Sequence, residues 1–289
     1  MLEFKNNSSL QAATQDSAVG TKKIPRRFTW NIHYACNYRC PYCFFEGKWE
    51  EYAKRNIYLS VKEWMIYWKR FYDYYGRCYI LITGGEPFIY PNFIELIKEL
   101  SQIHYPINIS TNASGDLNEF VERVNLERVS LSVSFQPNFD SIEEFLKKVE
   151  FLKKYKFYGC INFVAYPPFL NKLESYVDKF REISEQLKII PFWGIYQGKE
   201  YPFAYTQTEK QMLGINAAWF SQVRKSGLLC PAGYQSALIF PDGKVARCGH
   251  IGEKMIICNF FDSKFKLLGD PLPCDAEFCP CDENKLFGE

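Results

Sequence analysis

Residues Phe28-Thr29-Trp30-Asn31-Ile32-His33-Tyr34 run directly into Ala35-Cys36-Asn37-Tyr38-Arg39-Cys40-Pro41-Tyr42-Cys43, joining a strand-like run to three cysteines at spacings of four and three. Three thiolates so placed can hold three irons of a [4Fe–4S] cluster, leaving the fourth iron without a protein ligand and open to a substrate or cofactor.

Two other uses of cysteine stand against this one, because the chain holds 11 cysteines in 289 residues. Disulfides need an oxidising compartment, which is not expected where the amino-terminal residues are polar and lack the apolar core of a signal peptide. A structural zinc draws on paired C-x₂-C units or Cys/His pairs, and C-x₃-C-x₂-C offers no histidine at a convenient offset.

A second stretch, Tyr79-Ile80-Leu81-Ile82-Thr83, reads as the next strand and ends in Gly84-Gly85-Glu86-Pro87. Alone, that ending is a plausible turn. Together with Cys36, Cys40, Tyr42 and Cys43 in the pattern C-x₃-C-x-aromatic-C, it makes the chain resemble the radical S-adenosylmethionine (radical SAM) enzymes. The resemblance implies that S-adenosylmethionine chelates the open iron through its amino and carboxylate groups. It further implies that one electron, from a reductase such as flavodoxin or ferredoxin, cleaves it to a 5′-deoxyadenosyl radical that abstracts hydrogen from a substrate. Gly84, Gly85, Glu86 and Pro87 are then expected on the cofactor: the glycines admit close backbone approach to its methionine part, and Glu86 helps place the ammonium. Tyr42 and Phe44 are expected against the adenine.

Composition sets the outer limits. With 47% hydrophobic and 18% aromatic residues and a formal charge of +2, the chain reads as a globular, nearly neutral protein with ample core material. Lys and Arg are spread along helical faces, and no apolar stretch approaches the ~20 residues of a membrane span. Neither a nucleic-acid partner nor a membrane is expected, and a cytoplasmic enzyme fits best.

Period-two apolar runs predict strands over Phe28 to Tyr34, Tyr79 to Thr83, Ile107 to Thr111, Val129 to Phe135, Cys160 to Ala165 and Ile189 to Trp193. Helices are expected between them, over Ser60 to Tyr75, Pro91 to Ile103, Leu117 to Val124, Ser141 to Tyr155 and Asn171 to Glu185. Ser60 with Glu63 and Ser141 with Glu144 read as capping boxes. Glu143, Glu144 and Glu150 stand four residues before Lys147, Lys148 and Lys154, a solvated outer face. Alternating strands and helices argue for a parallel α/β sheet, and six units are too few for a closed eight-stranded barrel. The resemblance implies an open (β/α)₆ partial TIM barrel with the cofactor at the carboxyl ends of the strands, followed by a small C-terminal β-hairpin plus helix module that binds a cluster. The expected division is residues 1–25 as a flexible tail, 26–208 as the barrel and 209–289 as the auxiliary module.

On the third and fourth strands, alternation places Ser110 with Asn112 on one face and Ser132 with Ser134 on another. By the resemblance these four reach the ribose hydroxyls and methionine carboxylate; the other reading is a satisfied core hydroxyl or strand cap. Val164 is expected against the adenine. His33 is read as a buried structural histidine, His104 as an exposed one at a helix end, and His250 as a neighbour of a second cluster. Cys78, Cys160 and Cys258 are read as packing residues.

The last third carries a second cysteine set. Cys230 precedes Ser236 to Phe240, an Asp242-Gly243 turn and Lys244 to Cys248, the pattern of a hairpin that brings Cys230 and Cys248 into one neighbourhood. Cys274, Cys279 and Cys281 follow. The segment resembles the shortened auxiliary module called twitch, related to the longer SPASM module. This implies one further [4Fe–4S] cluster on Cys230, Cys248 and two of the last three, with zinc as the alternative. Such a cluster moves electrons to or from a substrate radical. A small molecule such as a sugar or nucleotide-linked sugar is favoured, with the loop Gly194 to Thr208 expected to close over it. A ribosomal-peptide maturase is one alternative, and a non-catalytic iron–sulfur electron carrier is another.

Overall fold

The computed structural model describes residues 25–223, 226–249 and 252–279. The expected tail, His250 and Cys281 therefore fall almost wholly outside the described residues. Six strands appear where alternation placed them: β1 (Arg27–His33), β2 (Tyr79–Gly84), β3 (Ile107–Thr111), β4 (Val129–Ser134), β5 (Tyr158–Ala165) and β6 (Leu187–Pro191). Helix α1 (Trp49–Ala53) precedes α2 (Val61–Tyr75), and α3 (Phe93–Ile103), α4 (Leu117–Arg123), α5 (Ile142–Lys154) and α6 (Leu173–Ile183) alternate with the strands. Ser60 and Glu63 form the expected reciprocal cap, and Ser141 accepts from the Glu144 amide, so both helices start where their first orphan amides find a partner.

The strands pair in parallel and in chain order from β1 to β6, and β6 does not return to β1, so the barrel is open. One face of each strand is apolar and sealed. Phe28, Trp30 and Ile32 of β1, Ile80 and Ile82 of β2, and Leu131 and Val133 of β4 pack with Trp64 and Trp68 of α2, Leu96 and Ile97 of α3, and Phe145 and Val149 of α5 in one core. Trp30 meets Trp64 and Trp68 edge-on, with ring centroids 4.8 and 5.2 Å away. The other face is only half-buried, as the alternating exposure of β1, β2 and β3 shows. Parallel sheets are ordinarily covered on both faces; here the concave side stays open.

The remaining strands are β7 (Gly194–Tyr196), β8 (Lys199–Tyr201), β9 (Leu229–Cys230), β10 (Ser236–Ile239), β11 (Lys244–Ala246), β12 (Ile256–Asn259) and β13 (Leu272–Pro273), with α7 (Gln207–Met212) and α8 (Ala217–Val223) between β8 and β9. The Asp242-Gly243 hairpin forms as expected, and Gly243, at φ +80°, takes the left-handed conformation that the turn demands. Its first strand, β10, pairs in parallel with β1. The hairpin, with β12 paired to its outer strand, thus extends the barrel sheet to nine strands, ordered β12-β11-β10-β1-β2-β3-β4-β5-β6.

Three expectations need correction. His104 is fully buried, not exposed: its Nδ1 accepts from the Cys78 amide at 3.1 Å and its Nε2 donates to the Trp68 carbonyl at 3.0 Å, because the end of α3 is folded down onto α2. The segment from Gly194 is not a loop but the antiparallel β7–β8 hairpin. Tyr205 pins it from below, donating to the Ala165 carbonyl at 2.6 Å and accepting from the Phe192 amide at 2.9 Å. Cys160 is not a plain core residue: it is half-buried and its thiol donates to Ser132 Oγ at 3.3 Å. On α5, Glu143, Glu144, Lys147, Glu150 and Lys154 are exposed, as expected of a solvated outer face, while Lys148 turns back to Asp140 and Glu143 reaches Lys179 on α6.

Candidate active site

The loop that follows β1 carries Cys36, Cys40 and Cys43, folded by tight turns in which the Cys43 amide donates to the Cys40 carbonyl and the Glu46 amide to the Cys43 carbonyl, both at 3.0 Å. Residues just past the carboxyl ends of β3 and β4 hold the loop. Asn112 donates to Asn37 at 3.0 Å, Asn37 to Ser114 at 2.9 Å, and the Cys40 thiol to Gln136 at 3.4 Å. Tyr38 stacks on Phe139 at 4.3 Å, and Arg39 caps the Cys36 and Tyr38 carbonyls. A rim assembled from three strand ends thus positions three thiols at one side of the open face.

Burial pushes all three thiols up, Cys40 to about 12, and each charge that formed on one would raise the others. Three ionised cysteines here need a cationic centre, and binding one releases their protons. Among the described residues no three His, Cys, Asp or Glu side chains converge on a point as one metal ion requires. A cluster takes each thiolate at a different iron, and Cys36, Cys40 and Cys43, carried on one short turn-rich loop, are a donor set of that kind.

The Gly84-Gly85-Glu86-Pro87 turn packs against the root of this loop, and the structure exposes a physical demand on each residue. Gly84 has φ +125°, and a Cβ there would lie 2.2 Å from the His33 carbonyl oxygen; at Gly85 it would lie 1.8 Å from that of Ala35. The Gly85 and Glu86 amides donate to those same carbonyls at 2.7 and 2.8 Å. The glycines therefore let two strand ends touch. Glu86 is buried and its carboxylate accepts from Thr111 Oγ1 at 2.6 Å, the Asn112 amide at 2.7 Å and the Phe88 amide at 3.1 Å. It is a brace between the ends of β2 and β3, and burial outweighs its donors to hold its pKa above the usual value. Pro87 is buried and opens the short 3₁₀ turn Pro87–Ile89. His33 is buried as expected, its Nε2 donating to the Glu86 carbonyl at 2.8 Å.

The two expected adenine neighbours on either side of the rim come together. Tyr42 and Val164 pack against one cluster with Tyr166, Phe169 and Phe192, and Tyr42 donates to Gln136 at 2.5 Å. Phe44 differs: at 82% exposed it points to solvent, while its neighbour Phe45 takes the buried place against Tyr34 and Tyr52.

Polar side chains line the concave face in rows set by the strand register. Ser110 stands beside Ser132, which stands beside Cys160; Ser134 stands beside Asn162, which stands beside Lys188. Asn108 donates to Ser130 Oγ and accepts from Ser132 Oγ, each at 2.9 Å. Asn108, Ser130, Asn162 and Lys188 were not expected site residues. Their signal lies in the alternation of Cys160, Asn162 and Val164 with Ile161, Phe163 and Ala165, but only the register shows which strands share a row.

At the second cysteine set, β9 pairs with β13 so that Cys230 faces Leu272. Cys230, Cys274 and Cys279 pack into one patch with Ala276. Cys248 follows Arg247, whose guanidinium reaches the Cys230 and Pro273 carbonyls. Arg247 escaped the sequence reading because a buried arginine leaves no local pattern. Cys258, on β12, packs against the main core. The hairpin is tied to the first loop as well: Arg55, beyond α1, makes a two-pronged pair with Asp242 in the turn at 3.0 and 3.3 Å.

Residues 30–171 match the family model described as the Radical SAM superfamily. Curated relatives include the GTP 3′,8-cyclase of Crocosphaera subtropica, 28% identical over 102 residues, or 34% of this chain and 30% of that protein. The GTP 3′,8-cyclase of Staphylococcus haemolyticus is 24% identical over 202 residues, 64% of this chain and 59% of that protein. The chain thus spans about a third of the length of the first of these relatives and under two thirds of the second. Among solved structures, native anSMEcpe with bound AdoMet superposes with a TM-score of 0.60 at 17% identity, covering 82% of this chain and 79% of that one. Streptococcus suis SuiB bound to precursor peptide SuiA gives 0.59 at 16% identity, covering 83% and 63%. At such identities the likeness is one of fold, that of an open partial barrel. A [4Fe–4S] cluster and S-adenosylmethionine are the cofactors of the matched family. The cysteine loop, the Gly-Gly-Glu-Pro turn and strands β2 to β5 all lie inside the matched span, so residues 30–171 are a domain of the Radical SAM superfamily.

Proposed function

We propose that this protein is a radical SAM enzyme that takes a hydrogen atom from a polar small molecule such as a sugar or nucleotide-linked sugar, and that a second cluster on Cys230, Cys248 and two of Cys274, Cys279 and Cys281 assists by moving an electron. The observation that carries the substrate class is the polar concave face: hydroxyls and amides of Asn108, Ser110, Ser130, Ser132, Ser134 and Asn162 open beside the cysteine loop, with the Lys188 cation at the end of one row. Such a surface offers donors and acceptors in quantity and little apolar grip, which suits a hydroxylated, anionic ligand. The curated relatives point the same way, since their name is that of an enzyme acting on a nucleotide.

Cys36, Cys40 and Cys43 would hold the cluster, and the bound pair of cluster and S-adenosylmethionine supplies a 5′-deoxyadenosyl radical. The chain's own part is to bind, orient and shield. Tyr42, Val164, Tyr166 and Phe169 wall the adenine side against water. Ser110, Asn112, Ser132 and Ser134 present polar groups to the ribose and methionine ends, while Gly84, Gly85, Glu86 and Pro87 keep the strand ends in register under the loop. A cytoplasmic setting and a flavodoxin- or ferredoxin-type reductase complete this reading.

A peptide-modifying role is the second reading, favoured by exposed apolar residues in the segment that follows β6: Trp193, Ile195 and Phe203. Deuterated substrates separate the two. Transfer of deuterium into 5′-deoxyadenosine from a labelled nucleoside phosphate or sugar phosphate is the expected result. Transfer only from labelled peptides would replace the small-molecule reading, and no 5′-deoxyadenosine under dithionite would remove both.

A further inference from the structure

Arg247 is among the most buried side chains of the protein, at 1% exposed. Its guanidinium donates from Nε to the Ala232 carbonyl at 2.9 Å, from Nη1 to the Pro273 carbonyl at 2.7 Å, and from Nη2 to the Cys230 carbonyl at 3.4 Å and the Leu272 carbonyl. Nη1 also lies 3.9 Å from the Met255 sulfur. One planar fork thus joins the turn after Cys230, the end of β11 before Cys248 and the strand before Cys274. Each of these three segments delivers one cysteine of the second set.

Every one of these acceptors is neutral. No ion pair among the described residues includes Arg247; the pairs lie elsewhere, on Arg55, Lys98, Arg123, Lys148, Lys179 and Lys244. Carbonyl dipoles offset part of the cost of burying a positive charge, but a buried ion without a counter-charge is strongly disfavoured. The segments that the fork joins carry Cys230, Cys248 and Cys274, and four thiolates around a [4Fe–4S] core leave that centre with net negative charge. A guanidinium stays charged whatever its setting, so its field on the centre is permanent.

We infer that Arg247 is the counter-charge of an anionic thiolate-bound cluster held by the second cysteine set, and that it makes this cluster easier to reduce. The inference rests on the proposed auxiliary cluster. Arg247 is on this account a positioning residue, because it touches the backbone that presents the cysteines and acts on the cluster through space. Net charge near a cluster is one of the protein's levers on its potential.

The test uses the full chain with Cys36, Cys40 and Cys43 all replaced by Ala, reconstituted anaerobically with iron and sulfide, so that only the second set can hold a cluster. Iron content and the midpoint from a spectroscopically monitored redox titration are compared for Arg247, Arg247→Lys and Arg247→Gln. The expected result is about four irons in the parent. The Gln variant should lower the equilibrium constant for reduction by about tenfold, or about 59 mV for one electron, while the Lys variant stays near the parent. A Gln variant with full iron at the parent's midpoint overturns the inference, as does a Lys variant that falls as far as Gln, since the fork and not the charge would then matter. A parent without iron overturns the auxiliary-cluster reading and the inference with it. Should Arg247→Gln fail to fold in thermal melts of the metal-free chain, Arg247→Lys decides alone: the parent's midpoint supports the charge, and a lowered one refutes it.

Discussion

Cys36, Cys40 and Cys43 share one short loop whose turns close on themselves, and neighbouring strand ends merely steady it. Cys230, Cys248 and Cys274 come instead from three separate segments that meet only once β9 has paired with β13 and Arg247 has threaded between them. The first set is built by local geometry and the second by completed folding. The two should therefore respond differently to injury: the local set to changes at its rim, the distant set to changes that loosen the sheet edge.

The largest effect expected from this contrast is functional. Cys40→Ala should abolish 5′-deoxyadenosine formation and remove about four irons per chain, whereas Cys274→Ala should remove a similar number and leave cleavage of S-adenosylmethionine intact. Loss of cleavage in both variants would show that the regions are not independent. Next comes Gly85→Ala. Its Cβ would be driven to 1.8 Å from the Ala35 oxygen, and the forced backbone shift should cost about 3 kcal/mol in urea unfolding. Iron should be lost from the first set before the second; an unchanged stability would mean the two strand ends separate freely.

Glu86→Gln should cost less, about 2 kcal/mol. Thr111 can turn its hydroxyl to suit an amide, but the Phe88 and Asn112 amides approach different oxygens of Glu86, so either orientation sets an NH₂ against a backbone N–H. A loss well under that would show that the rim rearranges.

The smallest effect is on pH dependence. Burial holds His33 and His104 below the ordinary histidine value of 6.5, so the fold keeps them neutral. As pH falls below that value the unfolded chain takes up protons that the fold refuses, and stability declines until the folded pKa values are passed. Unfolding free energies between about pH 7.5 and about pH 5 should show this slope, and His104→Gln should flatten it. An unchanged slope would mean that neither histidine limits acid stability.

Much of this was legible in the sequence for a physical reason. A buried strand face must repeat every second residue and a helix start must satisfy its first amides, so β3 lies where alternation placed it and α2 begins at the Ser60 cap. The cysteine loop was legible because its spacing is short enough to be local. What escaped depends on partners distant in the chain. His104 looks like a surface residue until α2 lies beneath it. Cys160 looks like core until the register sets it beside Ser132. The parallel pairing of β10 with β1 joins segments that share no local signal, and Arg247 has meaning only once Cys230, Pro273 and β11 have met.

The central claim is that one chain carries two separately built iron–sulfur sites, one of them generating a radical from S-adenosylmethionine. Anaerobic reconstitution with iron and sulfide, iron counting, and assay of 5′-deoxyadenosine after dithionite reduction with S-adenosylmethionine test it in a single preparation. The account predicts about eight irons per chain together with 5′-deoxyadenosine. About four irons with that product would contradict the second site, and no product at all would contradict the radical chemistry.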